Sequence, residues 1–106
     1  MSKLVRNRIP DIIRTATGSF PNLRYETNDG RKLQLLKDKL LEEAKEVFEA
    51  TSDWDLCCEL ADLYEVMLAI GSLRGYSLGH IQNLAEVKRA TNGSFSGYIV
   101  LEDDNK

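Results

Sequence analysis

The sequence predicts an all-α protein, a helical bundle followed by a short extended C-terminal tail. Two observations support this fold class. Apolar residues recur at helical spacing over residues 31–50, and residues 56–70 form an apolar run that is much longer than a typical strand. Helix-capping and helix-stopping residues flank both segments. Because 106 residues suffice for one core, the whole chain, residues 1–106, is predicted to be a single domain.

The first half of the chain predicts two helices separated by a loop. The first helix covers residues 8–17, has Pro10 in its first turn and ends at Gly18. Residues 19–30 contain Pro, Asn, Asp and Gly, which are typical of a loop. The second helix covers residues 31–50. Its predicted core stripe consists of Leu33, Leu36, Leu40, Ala44 and Val47.

The second half predicts two further helices and the tail. A helix over residues 53–73, capped by Ser52, is apolar nearly all round, so we expect it to be buried on most sides. Such burial favours association of chains into a homodimer or homotetramer. Ser77 begins a fourth helix that ends near residue 89. In this helix we expect Leu78, Ile81 and Leu84 to face inward. In the tail we expect Phe95 to pack onto the bundle and residues 98–101 to form a β-like run.

Composition excludes several classes of protein. The longest apolar run falls short of the ~20 residues that cross a bilayer, and the N-terminus lacks the apolar segment of a secretory signal. These features predict a cytoplasmic protein with no membrane partner. A net charge of −3 argues against nucleic acid as a partner. Cys57 and Cys58 are adjacent in a helix, which excludes a disulfide framework, and we expect both in the core.

Two pairs of acids interrupt the apolar faces of the long helices. Glu43 lies inside the stripe of the second helix, with Glu46 at its edge. Glu59 and Asp62 have the same three-residue spacing in the apolar third helix, so each pair shares one surface. A short turn between antiparallel helices would bring the two pairs face to face.

Buried carboxylates need compensation. An unpaired buried carboxylate costs several kcal/mol, and clustered like charges raise that cost. Lys39 is the only base near the stripe, and one lysine does not neutralise four acids. Oxygen ligands suit Mg²⁺, with Mn²⁺ as an alternative, and no cluster of His and Cys offers a site for zinc. The alternative is that these acids form an ordinary solvated helix face, as most E-x-x-E pairs do.

These motifs resemble those of the all-α nucleotide pyrophosphohydrolases, the superfamily of the MazG proteins. The family pattern EExxE followed by ExxD matches residues 42–46 and 59–62. The closest likeness is to a small MazG-like branch that opens with KLVRDRIP, which residues 3–10 match except at Asn7. That branch closes with a Lys-rich helix and a G-x-F turn, which residues 88–95 resemble. The likeness therefore covers almost the whole chain.

The resemblance implies a helical bundle completed by dimerisation and a Mg²⁺-dependent enzyme that hydrolyses nucleoside triphosphates to monophosphate and pyrophosphate. The metal ligands would be Glu43, Glu46, Glu59 and Asp62. Glu42 would support these ligands or accept the proton of the attacking water, and Lys39 would contact phosphate or steady the acids. The basic residues that could hold the pyrophosphate end of the substrate are Arg6, Arg8, Lys88 and Arg89.

Two other functions remain open at this point. Phosphoribosyl-ATP pyrophosphohydrolase shares the acidic pattern, and assaying that substrate beside a nucleotide panel would separate the two activities. A helical module that binds nucleotide or regulates a partner would keep the scaffold without releasing pyrophosphate.

Overall fold

A computed structural model describes residues 2–103, and these form four α-helices and no strand. The helices are α1 (Ile9–Thr17), α2 (Asp29–Glu49), α3 (Asp53–Leu73) and α4 (Leu78–Asn92). The predicted all-α class is confirmed. None of the helices in this part of the chain combines the length and the apolar character required to cross a bilayer.

The helix ends follow from local capping. Asn28 accepts a hydrogen bond from the backbone N–H of Arg31, so α2 begins two residues before the predicted start. Ser52 caps α3 in the same way through the N–H of Asp55, as predicted. Gly18 ends α1 in the left-handed conformation, at φ 87°, which glycine adopts without steric cost.

The hairpin of α2 and α3 is the centre of the molecule. Only residues 50–52 separate the two helices, which pack against each other along their length. Leu36 of α2 and Val66 of α3 are buried, and so is Glu43 of α2. Ala44, predicted in the core stripe, is instead exposed.

The fourth helix starts from a close contact at the end of α3. The N–H of Tyr76 donates to the carbonyl of Gly71 at 2.7 Å, which folds the chain back sharply. A β-carbon at Gly71 would lie 2.8 Å from the Tyr76 carbonyl oxygen and 3.0 Å from Ile81 Cδ1. Glycine is therefore required for α4 to approach α3 this closely.

Much of the apolar surface is left uncovered. The chain exposes 9408 Å², whereas a compact protein of 12.0 kDa exposes about 6,000 Å². Its radius of gyration is 18.2 Å, against about 13 Å for a compact domain of this length. The predicted burial of α3 on most sides is wrong for the single chain, because one neighbouring long helix covers only one side of it.

Further predictions of burial fail in the single chain, and so does the predicted β-like run. Leu84 of α4 is 56% exposed and Phe95 is 94% exposed, so neither packs inward. Cys57 and Cys58 are exposed free thiols. The β-like run at residues 98–101 forms no strand, since the described chain offers no other strand for it to pair with.

Candidate metal centre

The two predicted acid pairs meet at the interface of α2 and α3. Glu43 and Glu46 of α2 and Glu59 and Asp62 of α3 each offer an oxygen, and these four oxygens lie within 4.8 Å of one another. We call these four residues the acidic cluster. The three-residue spacing within each helix and the short turn between the helices bring the pairs together.

Two oxygens of the acidic cluster are buried without a partner. Glu43 is only 6% exposed, and within residues 2–103 neither its Oε2 nor Oε2 of Glu59 has a hydrogen-bond donor. Buried carboxylate oxygens are normally hydrogen-bonded, paired with a cation or bound to a metal. These two oxygens distinguish the acidic cluster from a solvated acidic surface.

The pKa of Glu43 reflects this environment. Burial raises the pKa of its carboxyl group, and hydrogen bonding with Glu46 and repulsion from its charge raise it further. Lys39 opposes these effects, since its Nζ lies 3.4 Å from Glu43 Oε1. A cation bound beside Glu43 would favour the ionised form of its carboxyl group.

Lys39 links Glu43 to Glu42. Its Nζ donates a hydrogen bond to Glu42 Oε2 at 3.2 Å as well as approaching Glu43. Burial acts to lower the pKa of Lys39, but the hydrogen bond and charge of Glu42 and then the charge of Glu43 outweigh it, so the pKa is raised. Lys39 therefore stays protonated and holds Glu42 at the edge of the acidic cluster.

The segment before α1, residues 2–8, lies against the acidic cluster, and we call it the N-terminal arm. Arg6 Nη2 donates to Asp62 Oδ1 at 2.7 Å. Lys3 Nζ lies 4.0 Å from Glu42 Oε1. The arm thus brings two positive charges to the acidic edge of the hairpin.

The net charge of the acidic cluster and its paired cations matches that of a divalent cation. Among the described residues, Lys39 and Arg6 are the cations that pair with acids of the cluster, so four carboxylates keep two formal negative charges. All available ligands are carboxylate oxygens, which suits a hard cation such as Mg²⁺. A spread of 4.8 Å is slightly wider than the ~4.2 Å between opposite ligands of one Mg²⁺, so small rotations of these side chains would suffice.

No family model, no curated protein and no solved structure matches this chain.

The other predicted substrate-binding residues are not gathered at the acidic cluster. Arg8 is exposed at the start of α1, and Lys88 and Arg89 are exposed in the last turns of α4. The ion pairs of the described residues do not include any of these three side chains. Of the four predicted phosphate contacts, only Arg6 touches an acid of the cluster.

Sequence reasoning missed how the arm reaches the acidic cluster. Arg6 and Asp62 are 56 positions apart, and residues 2–8 have no periodicity that would indicate a face. The concentration of Lys3, Arg6 and Arg8 near the N-terminus was the available signal, because basic residues tend to lie near clustered acids.

Proposed function

We propose that this protein is a Mg²⁺-dependent nucleoside triphosphate pyrophosphohydrolase of the all-α MazG-like type, which hydrolyses its substrate to the monophosphate and pyrophosphate. Removal of non-standard nucleotides is the corresponding cellular role. The main support is the convergence of Glu43, Glu46, Glu59 and Asp62 within 4.8 Å, with buried oxygens that lack donors. Lys39 approaches Oε1 of Glu43, so a bound cation would give the unpartnered Oε2 atoms the compensation that they lack.

The acidic cluster would hold Mg²⁺, with Mn²⁺ as an alternative. When bound, the ion supplies charge neutralisation for the phosphates and orients their oxygens. The carboxylates remove the need for softer ligands, and within the described chain His and Cys do not join the acidic cluster. Zinc chemistry is therefore not favoured here.

Glu42 would accept the proton of the attacking water. It is anchored by Lys39 at 3.2 Å and lies at the edge of the acidic cluster, with its side chain 37% exposed and so open to water. In the proposed reaction the water oxygen bonds to phosphorus, the bridging P–O bond breaks, and the electron pair leaves with pyrophosphate. The Glu42 carboxylate takes the proton of the attacking water.

The basic residues of the N-terminal arm would hold phosphate oxygens. Arg6 presents a planar guanidinium group that suits phosphate as well as carboxylate. Its partner Asp62 is one of the proposed metal ligands, and binding of a cation would weaken that ion pair. Arg6 would then be available to the substrate from a position next to the ion.

A homodimer would cover the apolar faces that the single chain leaves open. Leu56, Leu60 and Tyr64 of α3 follow one another at four-residue spacing and are 38%, 48% and 44% exposed. Residues at this spacing form one stripe along a helix. The accessible surface of this chain is ~3,400 Å² larger than that of a compact chain of the same mass. A standard interface buries only about 800 Å² of each partner, so the excess is large enough for one.

The experiment is a pyrophosphate-release assay over a panel of standard and non-standard NTPs and dNTPs, with phosphoribosyl-ATP included. We expect release of pyrophosphate with Mg²⁺ and none after chelation. Release from phosphoribosyl-ATP alone would instead identify that hydrolase. Nucleotide binding without any release would identify a binding module and contradict the proposed activity.

A further inference from the structure

A cavity of about 980 Å³ lies between the N-terminal arm and the loop that connects α1 to α2. Its volume falls within the range of ~300–1,000 Å³ that is usual for small-molecule sites. The arm forms one wall, loop residues 20 and 22–26 form the other, and Leu35 of α2 contributes from the hairpin. The cavity is separate from the four acids of the cluster, none of which lines it.

The lining of this cavity is chemically suited to a nucleobase. Phe20 and Tyr25 supply aromatic rings that are 55% and 83% exposed, and Leu23 adds an apolar surface. Asn7 and Asn22 line the same space, and an amide group both donates and accepts hydrogen bonds, as the edge of a base does. Aromatic rings stack on any base, whereas amides discriminate between base edges.

The loop wall is held in place by its own hydrogen bonds. Glu26 accepts a 2.6 Å hydrogen bond from Arg24 and further bonds at 3.2 Å from the N–H groups of Thr27 and Asn28. Asn28 in turn caps α2. The Arg14 guanidinium lies 5.0 Å from the centre of the Phe20 ring, which ties the start of the loop to α1. The cavity is thus bounded by a loop that is anchored at both ends.

Two residues belong both to the cavity and to the edge of the acidic cluster. Lys3 and Arg6 line the cavity, and their side chains reach Glu42 and Asp62 at 4.0 and 2.7 Å. A ligand in the cavity that carries phosphates would therefore meet positive charge first and the proposed metal site next. This order matches a nucleotide, whose aromatic base is followed by a chain of anionic phosphates.

We infer that the cavity between arm and loop binds the base and sugar of a nucleotide, with Tyr25 and Phe20 as stacking residues. The phosphates pass Lys3 and Arg6 on the way to the acidic cluster. The path of the phosphates towards the acidic cluster rests on the proposed function, whereas binding of the base does not. Recognition of the base by the loop can be tested without turnover.

The test compares two ligands in Mg²⁺ by calorimetry: α,β-methylene analogues of the four common NTPs, and inorganic tripolyphosphate, which has no base. We expect the wild-type protein to bind at least one analogue more tightly than tripolyphosphate. Tyr25→Ala should weaken that binding on the order of tenfold, the loss expected for one base stack, and leave tripolyphosphate binding unchanged. Tyr25→Phe should retain the affinity because it keeps the ring.

Phe20→Ala is the second variant, and Phe95→Ala is its matched control, since Phe95 is 94% exposed and does not line the cavity. The inference would be overturned if Tyr25→Ala and Phe20→Ala both bound the analogues with wild-type affinity. It would also be overturned if the wild-type protein bound analogue and tripolyphosphate equally well. If these variants released pyrophosphate at the wild-type rate, the base site would be refuted but the proposed hydrolase would not. Binding that depends on Tyr25 without any pyrophosphate release would refute the proposed hydrolase alone.

Discussion

The guanidinium group of Arg6 donates a 2.7 Å hydrogen bond to the carboxylate of Asp62, and so joins the N-terminal arm to the acidic cluster. Both side chains are partly exposed, at 56% and 42%, so water screens their attraction. Such a contact is weak enough to exchange partners. Arg6 therefore competes with any cation that binds Asp62 and is available to an anion that arrives with it.

The first prediction concerns metal affinity. Arg6→Ala should bind Mg²⁺ more tightly in the absence of nucleotide, by roughly two- to fivefold, because it removes a positive charge that competes for Asp62. The same variant should raise the KM for nucleotide. Titration calorimetry with Mg²⁺ measures the first effect. Arg8→Ala is the control from the same arm, and an equal change in that variant would mean that the Arg6–Asp62 contact is not responsible.

The second prediction concerns turnover. Glu43→Gln should lower kcat by more than about a hundredfold and leave the helical content unchanged, because it removes a proposed ligand and preserves its shape. Circular dichroism and pyrophosphate release measure the two properties. Glu65→Gln changes an exposed acid of α3 outside the acidic cluster and should retain activity. Turnover at the normal rate by Glu43→Gln would refute the proposed site.

The third prediction concerns pH and the metal-free protein. Because the pKa of Glu43 is higher in the folded chain than its usual value, the folded state binds the proton more tightly than the unfolded state. Its ionised form therefore costs stability above the folded pKa, and that cost disappears as the pH falls through it. In a chelator, the melting temperature of the wild type relative to Glu43→Gln should rise as the pH is lowered from neutrality towards 4.5, the ordinary pKa of the carboxyl group. A difference that falls over this range would contradict the prediction.

The fourth prediction concerns the start of α4. Gly71→Ala should lower the free energy of unfolding by about 1–3 kcal/mol, because the added β-carbon would lie 2.8 Å from the Tyr76 carbonyl oxygen, which is backbone and does not move aside easily. Gly79→Ala is the matched control inside α4, where the nearest atom would be 3.9 Å away. That variant should be neutral or slightly stabilising. Urea denaturation of both proteins distinguishes these outcomes.

The fifth prediction concerns assembly. Leu60 lies in the middle of the exposed apolar stripe of α3, so Leu60→Lys should convert the proposed dimer to monomer, measured by light scattering. The control is Leu101→Lys in the tail, which is 95% exposed and outside the stripe. A wild-type protein that is monomeric at all concentrations would exclude the dimer.

Local sequence patterns were sufficient to predict the helices and the acidic cluster. The bounds predicted for α3 agree with the structure because Ser52 caps its start and Gly75 lies just beyond its end. The pairs at Glu43 and Glu59 face each other because spacing within each helix and a short turn leave little freedom.

Predictions that depended on distant contacts succeeded less often. Phe95 and Leu84 are apolar, but whether an apolar side chain is covered depends on which neighbour reaches it, and no local pattern specifies that. The Arg6–Asp62 contact joins an arm without regular structure to the middle of α3. The arm–loop cavity likewise arises from two irregular segments that have no periodicity to interpret.

The unpartnered oxygen of buried Glu43 has a consequence for the folding of the chain. A cation that binds only the folded form shifts the equilibrium towards that form by mass action. The fraction of molecules that are folded should therefore depend on the concentration of free divalent ions around them. If the acidic cluster binds Mg²⁺ as proposed, loss of magnesium would lower the folded fraction as well as the proposed activity, and the unfolded molecules would be open to proteolysis.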